Sequence, residues 1–318
     1  MRACGPVLAA LLLAACSTER DQADFFAPGD VDVLVVEAVL IVGQDFPTIR
    51  LSRTLAPDVP YTPEGAAETG ATITVRAPAD GQAVGYEDIG VPGLYVPAWS
   101  NRLQVEAGTE YELEVVTTRG ERLTAGTRTP APFAVDSWTL MNSAGTADLR
   151  DLRTFAEVGD TASIYDQPEN QLVYAEGLLE ARFAAGGPVV FAGAGYQLAL
   201  FSLDLDSDYV IDPPFFEEED FEDLSRSGSS PVLVATDGRA RLPWFGIYYE
   251  GRHLYKVYTL DRNWYDLVRS TPLAGGGLGF GGNAGDGSDR PIFHVEGGIG
   301  LFGSASVDSV GFTILPAP

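Results

Sequence analysis

Cys16 carries the clearest chemistry in the chain. It closes the run Leu13-Ala14-Ala15-Cys16, small residues before a cysteine, behind Arg2 and the short apolar stretch Val7–Leu13. That order matches a bacterial lipobox, and the stretch is too short to span a bilayer, so it reads as a signal peptide. The expected chemistry is a thioether from the Cys16 sulfur to diacylglycerol, cleavage before Cys16, and acylation of the new amino group. Each buried methylene of the acyl chains is worth roughly 0.8 kcal/mol, so several chains make a stable anchor. Ser17, where an Asp would signal inner-membrane retention, favours the outer membrane. The other cysteine, Cys4, leaves with the signal, so the mature chain is expected to carry neither a disulfide nor a thiolate metal site.

Three further patterns could hold a ligand. Asp204, Asp206 and Asp208 open like a calcium loop, but Tyr209 stands where the EF-hand turn requires Gly, and the twelfth position is Phe215 instead of Glu. The segment 204–223 therefore reads as a solvated acidic surface loop, with the three aspartates a weak calcium candidate. Its deletion from 209 to 223 is expected to leave the melting temperature nearly unchanged. Gly298, Gly300 and Gly303 spell G-x-G-x-x-G. A dinucleotide site needs a strand, a helix and a later acidic residue around that motif, whereas here an alternating, strand-like segment follows. The glycines are better read as allowing a tight strand connection or bulge. "GGNAGDGSD", within a Gly-rich loop at 273–289, misses the spacing of the calcium nonapeptide and occurs once.

His253 and His294 are the only histidines, too few for a His-rich metal site, and no G-x-S-x-G elbow accompanies them. Ser304 and Ser306 have no distinctive setting. Packed or surface roles are expected for both histidines. Trp99, Trp138, Trp244 and Trp264 could form sugar platforms or simply fill cores. No catalytic residue and no cofactor is assigned. The net charge of −25, with 45 acids against 20 bases, argues against nucleic acid, whose binding rests on neutralising phosphates.

The elements that must position these residues are mostly strands. After a tether at 16–30, "VDVLVVEAVLIVG" reads as a buried strand. Short alternating runs follow at roughly ten-residue spacing. In "EYELEVVT", Tyr111, Leu113 and Val115 face one way and Glu110, Glu112 and Glu114 the other. Asp80-Gly81, Arg119-Gly120 and Glu250-Gly251 suggest hairpins. The expectation is an all-β chain. After a signal peptide at 1–15, an immunoglobulin- or fibronectin-like sandwich occupies 31–130, and a second β-rich domain occupies 133–318. One short helix is predicted in "DRNWYDLVRSTP", capped by Asp261 and stopped by Pro272, with Trp264, Leu267 and Val268 on its apolar face.

The ordered pieces resemble a family of uncharacterised bacterial outer-membrane lipoproteins classed only as a domain of unknown function. They are the lipobox, "LVVEAVLIVGQDFPTIRLSRT", "GATITV", "GLYVPA", "GTEYELEVVT", "VYTLDRNWYDLVRS" and "VEGGIGLFGSAS". Members are often encoded near TonB-dependent receptors. The resemblance implies a lipid anchor at Cys16 and an outer-membrane receptor or other envelope protein as partner; it supplies no catalytic residues. The leading expectation is a non-enzymatic accessory lipoprotein of the outer membrane, on either face. Alternatives are a glycan- or nutrient-binding lipoprotein and a cryptic hydrolase pairing a histidine with a serine and a carboxylate.

Overall fold

A computed structural model describes residues 31–79, 81–98, 103–174, 176–184, 195–210, 225–234, 237–242, 246–271 and 291–316. The fold is mainly β, and the described residues include three short α-helices and two 3-10 turns. The first half of the chain forms β1 (Leu34–Ile41), β2 (Ile49–Arg53), β3 (Thr72–Ala77), β4 (Gln82–Asp88), β5 (Leu94–Pro97), β6 (Glu110–Val116) and β7 (Arg122–Arg128). The one-turn helix α1 (Pro63–Ala66) falls between β2 and β3, and α2 (Phe155–Val158) lies in the second half. That half adds β8 (Ser137–Asn142), β9 (Asp148–Asp151), β10 (Gln171–Val173), β11 (Gly177–Arg182), β12 (Gly195–Ser202), β13 (Ser227–Ser229), β14 (Leu233–Val234), β15 (Arg239–Leu242) and β16 (Gly251–Leu260). The chain ends through α3 (Arg262–Ser270), β17 (Val295–Glu296) and the long β18 (Ile299–Leu315).

Period-two alternation builds the first core. Leu34, Val36, Ala38 and Leu40 of β1 point inward, as do Tyr111, Leu113 and Val115 of β6. The β3–β4 and β6–β7 hairpins turn on Gly81 and Gly120, both at positive φ, as their dipeptides predict. A buried ion network locks one end of this core. Arg53 bonds Glu68, itself buried, and also Glu121 of the β6–β7 turn, while its Nη1 donates to the Asp32 carbonyl at 2.8 Å.

The second core lies between two sheets. Trp138, Leu140, Leu179, Ala181 and Leu242 come from the sheet β15-β11-β8-β9. Tyr196, Leu198, Leu200, Tyr255, Val257, Val310 and Phe312 face them from the larger sheet. Trp138 meets Tyr255 edge-on, with ring centroids 5.3 Å apart.

The two halves share one sheet, in the order β13-β12-β16-β18-β1-β2-β5-β4-β3-β6-β7-β17. β18 runs parallel to β1 along Ile299–Ala305 and antiparallel to β16 along Ala305–Ile314. Residues 295–305, placed with the second domain by sequence spacing, therefore pair with first-half strands: β17 with β7 and the start of β18 with β1. Spacing could not reveal this, because the partners lie at opposite ends of the chain. The glycines are where backbones press together. A Cβ on Gly298 would lie 2.5 Å from the Leu34 carbonyl oxygen, and one on Gly300, at φ +113, 2.1 Å from that of Val36. The G-x-G-x-x-G string is thus the passage of a strand between two others, with Gly300 and Gly303 inside β18 itself.

Side chains seal the remaining seam between β7 and β18. Thr127 Oγ1 lies 2.8 Å from Ser304 Oγ and donates to Asp261 at 2.5 Å. Asn263 Nδ2 reaches the carbonyls of both Gly126 (2.6 Å) and Phe302 (2.8 Å). Helix α3 is thereby bolted over the seam.

Candidate binding site

Asp261 starts α3. Its Oδ1 accepts from Trp264 N at 2.9 Å, the N-cap bond expected from the sequence. Burial raises its carboxyl above the ordinary value, against the bonds from Thr127 and the backbone amides of Trp264, Ser304 and Asn263. Gly303 makes room below: a Cβ there would lie 3.3 Å from both Asp261 Oδ1 and Trp264 Cβ.

The helix then turns an unexpected face inward. Asp266 and Ser270 are its buried residues, whereas Trp264, Leu267 and Val268 stay half-buried. Asp266 accepts from Arg269 at 2.7 Å and Arg262 at 3.3 Å, and His294 Nε2 lies 2.8 Å away. Burial pushes its carboxyl up, but these three partners outweigh it, so the group lies below the ordinary range. Ser270 Oγ accepts from Ile292 N at 2.8 Å. Polar bonds to the returning chain, not apolar burial, set the rotation of α3.

With that rotation Trp264 stands over the outer face of the larger sheet. Its ring lies 5.4 Å from that of Tyr258, tilted by 51°. Tyr258 pairs with Gln197, Lys256 with Ala199, and Leu254 with Phe201 across β16 and β12; Ser229 and Ser227 pair with Ala199 and Phe201 from β13. Direct partners share a face, so Ala199 is a low point between Gln197 and Phe201 along its strand. The result is a groove of about 430 Å³ lined by Gln197, Ala199, Phe201, Ser227, Gly228, Ser229, Tyr258 and Trp264. Sites for small molecules commonly span about 300–1,000 Å³. Lys256 Nζ lies 5.3 Å from the Phe201 ring centre, and burial lowers its ammonium below the ordinary value.

A second, polar groove of about 580 Å³ lies across β6, β7 and β17, with Arg76, Glu112, Glu114, Arg122 and His294 on its walls. Its charges are largely spent on one another, Arg76 on Glu112 and Arg122 on Glu114, both at 2.8 Å.

The residues singled out from the sequence fall apart in space. Cys16, Trp99, Trp244, the Gly-rich 273–289 and 211–223 of the acidic segment lie outside the described residues. Asp204 is held by Arg252, through its backbone N at 2.7 Å and its guanidinium at 2.6 and 2.8 Å. These bonds keep its carboxyl below the usual range and take up the first ligand of the calcium pattern. Arg226 reinforces the turn, donating to the Asp204 carbonyl at 2.6 Å and Ser207 Oγ at 2.9 Å. Among the described residues no three His, Cys, Asp or Glu side chains converge to hold a metal, with Asp206 and Asp208 included. The segment is also not loop throughout. Tyr209 stacks on Tyr249 at 5.0 Å, and Val210 is buried, its N–H donating to the Tyr248 carbonyl. Among the described residues the hairpin predicted at Glu250-Gly251 does not form: Tyr249 bridges to Tyr209, and the Glu250 N–H donates to the Asp208 carbonyl.

His253 is 1% exposed and stacks on Phe312, with Nδ1 2.9 Å from the Gly251 carbonyl oxygen; burial brings its pKa down to about 4. Ser306 Oγ accepts from Phe133 N at 2.9 Å, and Ser304 belongs to the seam. His253 bonds the Gly251 carbonyl and His294 the Asp266 carboxylate, so neither of these contacts pairs a histidine with a serine. Of the tryptophans, Trp138 is core and Trp264 lines the groove. Sequence reasoning missed Ala199, Phe201, Tyr258 and the β13 serines, whose only signal was alternation along strands of unknown partnership.

The family described as Domain of unknown function (DUF4249) matches residues 21–270. The chain belongs to this family. The DUF4249 match includes α3 and every groove residue. No curated protein matches the chain. Among solved structures it is similar to the crystal structure of the chicken CNTN1 FN1–FN3 domains, at 10% identity and a TM-score of 0.17. That similarity covers 91% of this chain but 66% of the other, and at that TM-score it carries no argument about fold or function.

Proposed function

We propose that this DUF4249 protein is a non-enzymatic lipoprotein of the outer membrane. It is anchored through Cys16 and binds a ligand or envelope partner with the groove beside α3. One observation carries the binding role: α3 is fixed with its polar side inward, which leaves Trp264 beside Tyr258 over the outer face of the larger sheet. Half-buried aromatic rings around a concave floor are a common make-up of a binding surface. The non-enzymatic part is supported by the engagement of His253, His294 and Asp261 in packing, ion-pairing and capping. The lipobox supports the anchor; among the described residues no helix is long and apolar enough to cross a membrane.

Two experiments test this. Cys16→Ala should leave the membrane fraction or remain unprocessed; a variant that fractionates and processes like wild type refutes the anchor. A pull-down from native outer membranes should recover material with wild-type bait that is lost with Trp264→Ala/Tyr258→Ala bait. Equal recovery with both baits refutes the groove as the binding face.

A further inference from the structure

We propose that the groove beside α3 takes a neutral carbohydrate, one pyranose ring lying over Ala199 with its C–H face against Trp264 and Tyr258. This rests on the reading of that groove as the binding face and names its ligand class.

The first argument is shape. Ala199 sits between bulkier neighbours on its own strand, so the sheet surface dips one residue wide. Trp264, arriving from the helix, and Tyr258, from the neighbouring strand, meet at 51° and form an angled wall over that dip, not a flat patch. Phe201 closes the other end.

The second is the pairing of apolar and hydroxyl-bearing sides. The β13 edge of the groove carries the exposed side chains Ser227 and Ser229, opposite the aromatic wall. A ligand filling the space must offer a weakly polar C–H surface to rings with electron-rich faces. It must also offer hydrogen-bonding groups to serine hydroxyls and to Lys256, which donates but cannot accept. A pyranose has both on one small rigid body. An amphipathic peptide helix would instead match a continuous apolar stripe.

Charge is the third. The chain carries 25 more acids than bases, yet among the described residues no carboxylate lines this groove. Among the described lining residues a cationic ligand finds no counter-charge. Lys256 is a single cation already partly desolvated against Phe201, poorly suited to drawing a polyanion against the field of the whole protein.

The test uses the full lipidated chain in a detergent without a sugar head group. Neutral oligosaccharides (glucan, galactan and mannan series) are titrated by calorimetry and tryptophan fluorescence. At least one series is expected to bind wild type with a fluorescence change. Trp264→Ala and Ala199→Met should each weaken binding at least tenfold, with melting temperature and circular dichroism close to wild type. Trp264→Phe should keep binding within a few-fold while the fluorescence change disappears. No binding to any series overturns the proposal, as does full binding by Trp264→Ala or Ala199→Met. If sugars fail but native material is still lost with the Trp264→Ala/Tyr258→Ala bait, the groove stands as binding face and only the carbohydrate assignment falls.

Discussion

Gly300→Ala should be far more damaging than an ordinary methyl addition in a strand. The new Cβ would lie 2.1 Å from the Val36 carbonyl oxygen and 2.9 Å from its nitrogen, at a residue with φ +113. Both contacts are to backbone, so no side chain can swing away. The strand must part from β1 near the Val36–Gly300 pair, giving up about two backbone hydrogen bonds worth roughly 1 kcal/mol each. Holding alanine at positive φ adds about 1–3 kcal/mol. The expected loss is about 3–5 kcal/mol. Gly81→Ala is the control: φ is +74, but nothing lies within 4 Å of its Cβ, so only left-handed strain of about 1–2 kcal/mol applies. Urea unfolding followed by circular dichroism measures both. A Gly300→Ala variant no less stable than Gly81→Ala would refute the account of the glycine string as a crowded strand passage.

Acid should destabilise the protein through His253. The folded form stays neutral down to about pH 4, while the unfolded chain takes up a proton near the ordinary value of 6.5. Between these the unfolded state binds more protons, so stability is full above about 6.5 and falls towards 4, by on the order of 3 kcal/mol. His253→Phe should flatten that slope in urea titrations at stepped pH; an unchanged slope rejects the assignment. Arg53→Ala should cost about 3–5 kcal/mol because Glu68 is left buried without its partner, and Arg53→Met/Glu68→Leu should recover much of it. A single variant as stable as wild type in denaturant melts would contradict this. Val210→Ala should cost about 1–2 kcal/mol, against the sequence expectation that everything from 209 is dispensable. Millimolar calcium should leave wild-type melting unchanged, since Arg252 already occupies Asp204; a rise of several degrees that vanishes in Asp204→Asn refutes it.

What could be read from the sequence was whatever depends on near neighbours. The Glu110–Val115 alternation places Tyr111, Leu113 and Val115 inside, because the pleat alone decides it. Asp261 caps α3 as predicted, since an N-cap needs only three following residues. The face of α3 was not readable. Trp264, Leu267 and Val268 form the apolar stripe, yet Asp266 and Ser270 go inside because residues 292 and 294, far along the chain, bond them. The groove was hidden in the same way: Ala199, Tyr258 and Ser229 become neighbours only through strand pairing. Of the groove residues the sequence singled out Trp264, as one of four tryptophans, and composition gave it no preference over Trp138, which is core.

β18 gives this architecture a kinetic character. One strand completes both cores: Phe302 fills the first, and Val310, Phe312 and Ile314 the second. A chain emerging N-terminus first from a ribosome therefore holds β1 with one edge unsatisfied until β18 has followed. Val36 waits for Gly300. Closing so long a loop carries an entropic cost before any contact repays it, and such topologies fold slowly. The first half, although it contains most of a core, is not a unit that can finish early. Its exposed β1 edge is a pairing surface for other chains meanwhile. Completion of both cores therefore waits on the pairing of β18.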